Sequence, residues 1–194
     1  MKSRSIRRTS SVRLANRGRT SRYCVIPNTA IYPKAHKEIV LIGYRFKFIQ
    51  SLIPETDEQG RAIKFYPQEL YRHKNEKKLL KQGTGAFCRF SINAEESAGV
   101  YLLTDGDGNI LYIGETRNLQ QRFNNSRFGS YGFITPAACY EGGQSTNCKI
   151  NHIVLKYFET GNPLRLYFME TADHKQVERV LLQSFVTPFN VRNN

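Results

Sequence analysis

GVYLLTDGDGNILYIGETRNLQQRF, residues 99–123, decides the reading of the fold. GVYLLT and ILYIG are apolar runs of strand length, and between them lies Asp105-Gly106-Asp107-Gly108-Asn109. Strand formers on both sides of such a turn cluster predict a β-hairpin. NLQQRF, residues 118–123, then begins a short helix. Gly129 to Ser145 is rich in Gly, Pro and aromatics and reads as a loop. Ile150, Ile153, Val154 and Tyr157 recur at helical spacing, and Gly161 and Pro163 end that helix. LRLYFME, residues 164–170, is a strand. Asp173 followed by Gln176 predicts a capping box, Val177, Val180, Leu181, Ser184 and Phe185 share one helical face, and Pro188 stops the helix. The order is β-β-α-α-β-α, an α+β module over residues 98–194.

The preceding half reads as a smaller α+β region. Tyr44, Phe46 and Phe48 alternate with Arg45 and Lys47, the period of a half-buried strand. Pro54 to Gly60 signals a turn, and Ile63, Phe65 and Tyr66 suggest a second strand. Pro67 opens a polar helix through QELYRHKNEKKLL, which Gly83-Thr84-Gly85 ends. AFCRFSI, residues 86–92, is expected as another strand. Three parts follow: a flexible basic arm (1–22), an accessory α+β region expected to bind nucleic acid (23–97), and the module of residues 98–194.

Charge separates the halves. Residues 1–98 hold 20 basic and 8 acidic side chains, whereas residues 99–194 hold 9 and 8. An excess this concentrated points to a polyanionic partner, because Lys and Arg gain affinity by releasing counterions from phosphates. The arm carries eight basic and no acidic residues, among them Arg7, Arg8, Arg13, Arg17, Arg19 and Arg22, the candidate nucleic-acid contacts. An acid-free Arg/Ser-rich start also describes an organelle transit peptide; the charge of the rest of the chain favours the nucleic-acid arm. No stretch has the apolar length of a membrane span. Cys24, Cys88, Cys139 and Cys148 form no CxxC pair, so buried thiols in a reducing cytoplasm are expected. Cys139, Cys148 and His152 could hold zinc with a fourth ligand, but their spacing fits no standard zinc pattern.

Gly99-Val100-Tyr101 in the first strand and Tyr112-Ile113-Gly114 in the second resemble the paired signature of the GIY-YIG nuclease family. Leu119 and Arg122 follow at the spacings where that family places a Leu and an Arg, and Glu178, Pro188 and Asn190 are similar to its terminal pattern. The resemblance runs from Gly99 to Asn190. It implies hydrolysis of phosphodiester bonds by water with one divalent metal, leaving a 5′-phosphate. One position departs from it: where relatives often carry His or Tyr, four residues after the helical Arg, this chain has Ser126.

The residue chemistry fits that reaction. Cleavage needs a nucleophile, positive charge on the phosphate and stabilisation of developing negative charge. Glu178, at the border of the buried face of the last helix, is the carboxylate for a metal, with a rim salt bridge to Arg179 or Lys175 as the alternative. Arg122 can reach phosphate oxygens with a planar fork. Tyr101 and Tyr112, expected close to opposite each other, can pack the core or orient and deprotonate the attacking water. Tyr101 is the first choice of base; Tyr131 and His152 are the alternatives. The Asn190 amide can anchor the final loop or position the phosphate.

The resulting expectation is a restriction-type, cytoplasmic DNA endonuclease using Mg²⁺ or Mn²⁺. RNA as substrate and an inactive nucleic-acid-binding module are the alternatives. One active site per chain cutting two strands favours a homodimer.

Overall fold

The computed structural model describes residues 35–66, 86–124, 134–136 and 145–190. The arm, with Arg7, Arg8, Arg13, Arg17, Arg19 and Arg22, lies outside the described residues, as do the helix expected after Pro67, Ser126, Tyr131, Cys24 and Cys139.

Five strands form one sheet: β1 (Glu38–Leu41), β2 (Tyr44–Ser51), β3 (Gly99–Thr104), β4 (Ile110–Thr116) and β5 (Arg165–Glu170). Their order is β1-β2-β5-β3-β4, and every neighbouring pair is antiparallel. The β3–β4 turn is held by the Asp105 carboxylate, which accepts from the backbone N–H groups of Asp107 and Asn109 and from Asn109 Nδ2, all at 2.9 Å. An Asp bonding the backbone two residues on is the reason this residue type starts turns. The hairpin β1–β2 joins the sheet by pairing β2 with β5, so residues 38–51 extend the sheet that β3 and β4 belong to.

Three helices are present among the described residues: α1 (Leu119–Phe123), α2 (Ser145–Glu159) and α3 (His174–Ser184). They lie in two layers. On one sheet face Tyr101, Leu103, Tyr112, Leu166 and Phe168 pack with Leu119 and Phe123 of α1 and Ile150, Ile153 and Val154 of α2. On the other, Val100, Leu102, Ile113, Tyr167 and Phe46 pack with Val177 and Leu181 of α3. The alternation along β3 and β4 thus buries both faces, and burial of these side chains at ~25 cal/mol per Å² is the main stabilising term.

Three expectations are corrected. AFCRFSI is not a strand. Phe87 makes a single bridge with Phe65, while Cys88 exchanges bonds with the Asn151 side chain (N–H to Oδ1 and Nδ2 to O, each 2.8 Å) and Ile92 N–H donates to Asn124 Oδ1 at 2.6 Å. Side-chain amides thus satisfy the backbone that a neighbouring strand would otherwise have paired. Ile63 to Tyr66 likewise contributes only the isolated bridge of Phe65 with Phe87. The capping box at Asp173 does not form: its side chain makes no cap bond, and its own N–H donates to Thr171 Oγ1. Cys88 and Cys148 are buried, and burial pushes the Cys88 thiol far up.

Candidate active site

The site forms where β4 ends the sheet. Two signature glycines make it possible. Tyr101 pairs with Gly114 across β3–β4, and a Cβ on Gly114 would fall 2.6 Å from both Cζ and Oη of Tyr101 and 2.6 Å from the Tyr112 ring. A Cβ on Gly99 would strike the Met169 carbonyl oxygen and the Phe168 ring on β5. Only hydrogen at these positions lets the phenols and the β5 backbone close in.

Tyr101 and Tyr112 are not opposite each other. Tyr112 pairs with Leu103, so the two phenols are diagonal neighbours on one face, with ring centroids 5.9 Å apart. Diagonal pairs are within reach of aromatic side chains. Phe123 of α1 meets the Tyr101 ring edge-on at 5.2 Å. The same helix brings Arg122, whose Nε donates to Tyr101 Oη at 3.3 Å. Asn118 caps α1 by accepting from Gln121 N–H at 2.8 Å, which fixes where the helix starts and therefore where Arg122 points.

Glu178 arrives from α3 on the other face. Its Oε1 accepts the outward N–H of Glu115 on β4 at 3.1 Å. The final segment covers the rest of this edge. Phe189 N–H donates to Leu111 O at 3.1 Å, and Asn190 exchanges two bonds with Ile113, N–H to Oδ1 at 2.8 Å and Nδ2 to O at 2.7 Å. Thr187 Oγ1 also donates to Asn190 Oδ1. Asn190 thereby acts as a short substitute strand, and Glu178 continues the same row of edge contacts one step along.

The electrostatics follow from burial. Tyr101 is fully buried and Tyr112 nearly so. Desolvation raises both phenol pKa values; Arg122 opposes this in each case without reversing it. Burial would lower the Arg122 pKa, but the two tyrosines and Glu115 outweigh it and the guanidinium stays charged. Glu178 is raised, first by burial and next by the Glu115 carboxylate; the Glu115 N–H, Arg122 and His174 oppose that shift. Tyr101, Tyr112, Arg122 and Glu178 therefore share one electrostatic neighbourhood.

Two residues that the sequence did not single out belong to it. The Glu115 carboxylate sits 2.7 Å from His174 Nδ1, an approach too poorly aligned for a hydrogen bond. Glu115 immediately follows Gly114 and His174 precedes Glu178 by one helical turn, spacings that could have flagged both. His152 is elsewhere: its Nδ1 lies 3.0 Å from Ala86 O and its ring meets Phe87.

Among the described residues no group of three or more His, Cys, Asp or Glu could hold a metal. Glu178 offers one half-buried carboxylate, and the repulsion from Glu115 that raises its pKa is relieved by a cation. That donor set suits a hard ion bound through one or two carboxylates, with water and phosphate completing its shell. No described helix is long and apolar enough to cross a membrane.

Nothing among curated proteins or solved structures matches the chain. A family model does match, over residues 97–170, which include Tyr101, Tyr112 and Arg122 and stop short of Glu178 and Asn190. That model is the GIY-YIG catalytic domain, so residues 97–170 are similar to a family of endonucleases that hydrolyse phosphodiester bonds in nucleic acid and generally use divalent metal ions.

Proposed function

We propose that this chain is a restriction-type endonuclease that cuts DNA with Mg²⁺ or Mn²⁺ at the β4 edge. The observation that carries the reading is the convergence of Tyr101, Tyr112 and Arg122 from one sheet face with Glu178 from the other. Glu178 is the residue that would hold the cation, which supplies positive charge to the scissile phosphate. Arg122 binds a phosphate oxygen and offsets the negative charge that develops there. Tyr112 orients the attacking water through its hydroxyl. Tyr101, hydrogen-bonded to Arg122, accepts the water's proton. Since burial holds both phenols above their ordinary pKa, only a small phenolate fraction exists at neutral pH. Asn190 keeps β4 in place through Ile113. The Arg-rich arm of residues 1–22 adds non-specific affinity, and two chains act as a homodimer to cut both strands.

The test is incubation of the purified chain with plasmid and with RNA, in Mg²⁺ and in EDTA, followed by mapping of the ends. Plasmid cleavage that leaves 5′-phosphates and stops in EDTA supports the reading. Cleavage of RNA alone, or in EDTA, contradicts it.

A further inference from the structure

We infer that the β1–β2 hairpin is a ribbon that grips the DNA duplex beside the cutting site, an inference that rests on the endonuclease reading above. Pairing places the hairpin on the catalytic face. Glu38, Lys47, Phe168, Tyr101 and Gly114 form one row across all five strands, each paired with the next. Partners in a row point to the same side of a sheet. Lys47 therefore stands on the face that carries Tyr101, two strands away, about 10 Å at the usual strand spacing. Phosphates flanking a scissile bond lie at such distances, since each duplex step advances a strand's phosphates ~3.4 Å along the axis.

Arg45, Lys47 and Ile49 line a cavity of about 410 Å³ whose far wall includes Leu119, the first residue of the helix that carries Arg122. A groove thus runs from the hairpin to the catalytic helix. Glu95 and Glu170 also line it. Arg45, on the neighbouring row opposite Val40, is already paired with Glu38, which leaves Lys47 as the basic group on this side of the hairpin most ready for a phosphate.

The hairpin tip gives a second, separate sign. Leu41 pairs with Tyr44, so the loop is the two residues Ile42-Gly43, at φ +48° and +84°. Positive φ at both central positions defines the turn type that selects Asn-Gly. A β-branched residue at positive φ is an outlier, strained unless something offsets it. Ile42 is moreover more than half exposed, and so is Val40 beside it. Neither the turn nor the core accounts for an isoleucine here. An apolar side chain on a two-stranded ribbon suits the groove of a duplex, where such residues contact thymine methyls or wedge between base steps. Basic Lys47 on the stem and apolar Ile42 at the tip match a backbone and a groove respectively.

The experiment measures duplex DNA binding by the full chain in EDTA, across salt concentrations, together with thermal unfolding. The variants are Lys47→Ala, Ile42→Asn and, as an exposed apolar control in the irregular segment, Ile63→Asn. Lys47→Ala is expected to weaken binding and to reduce the slope of log affinity against log salt by about one. Ile42→Asn is expected to unfold at or above the parental temperature, because Asn suits the turn, while binding about tenfold more weakly. Ile63→Asn should bind as the parent does. Parental affinity and slope in both hairpin variants would overturn the proposal while leaving plasmid cleavage, and so the nuclease reading, intact. A parental chain that cuts only RNA would overturn both.

Discussion

Tyr101 lies against the Cα of Gly114, its partner across the β3–β4 pair, with no room between them for a methyl group. This contact lets a fully buried phenol sit next to Arg122 at the sheet edge. Gly114→Ala should push Tyr101 and Tyr112 off position together. Overpacking of this kind costs about 1–3 kcal/mol, a drop of several degrees in Tm for a chain of this size. Cleavage should fall further than stability does, because catalysis depends on sub-ångström placement. Calorimetry and single-turnover rates measured on the same preparation check this. Parental behaviour in both would mean the close approach is not needed.

Asn190 acts on β4 through hydrogen bonds alone. Asn190→Ala removes both bonds to Ile113 and leaves a backbone N–H and C=O of β4 without partners. The expected loss is about 1–3 kcal/mol. Asn190→Asp keeps the acceptor for Ile113 N–H but sets a carboxylate oxygen against Ile113 O, so it should be no better than Ala. Chemical denaturation of the three proteins distinguishes these outcomes, and an Asp variant as stable as the parent would contradict the clamp.

Glu178 couples stability to pH. Its pKa is raised in the folded chain, so the folded state holds this proton more tightly than the unfolded state does. The contribution is complete below the carboxyl's ordinary value and is lost as pH rises through the raised one. Without divalent cation, Glu178→Gln, whose Oε1 can still accept the Glu115 N–H, should therefore be more stable than the parent at neutral pH and equal to it in acid. Mg²⁺ should raise the parental Tm at neutral pH and leave that of the variant unchanged. Thermal scans at the two pH values, with and without Mg²⁺, provide the comparison. An equal Mg²⁺ shift in both proteins would remove Glu178 from the metal site.

Much of this arrangement is legible in the sequence, and particular residues show why the rest is not. The hairpin could be read because Asp105 to Asn109 is a local signal: the Asp side chain bonds the backbone within its own turn. The nearness of Tyr101 and Tyr112 could be read too, but their diagonal placement depends on register, which the turn length and the shift between Leu103 and Thr104 decide. Residues 86–92 were misread because Asn151 and Asn124 satisfy their backbone from 63 and 32 positions away. The β1–β2 hairpin was missed since its turn, Ile42-Gly43, carries an isoleucine where turn chemistry calls for Asn. Glu115 and His174 become site residues only when α3 docks on β4.

Proton transfer is tested through the phenols. Tyr101→Phe removes the proposed acceptor and should cost about 10²–10⁴ in rate, the range general-base catalysis supplies. Tyr112→Phe should cost less, since it removes an orienting group. With a phenol raised by burial as the acceptor, the parental rate should climb with pH well into the alkaline range, and Tyr101→Phe should flatten that climb. His152 bonds Ala86 and should be dispensable. A dead His152→Ala beside an active Tyr101→Phe would move the base to α2.

The most direct measurement is single-turnover plasmid cleavage by the parent, Glu178→Gln and Arg122→Ala in Mg²⁺, with DNA affinity measured alongside. The account predicts that both variants bind DNA yet lose cleavage by at least about 10² in rate, the scale on which loss of transition-state charge stabilisation is felt. Undiminished cleavage by either variant would contradict the β4 edge as the catalytic site.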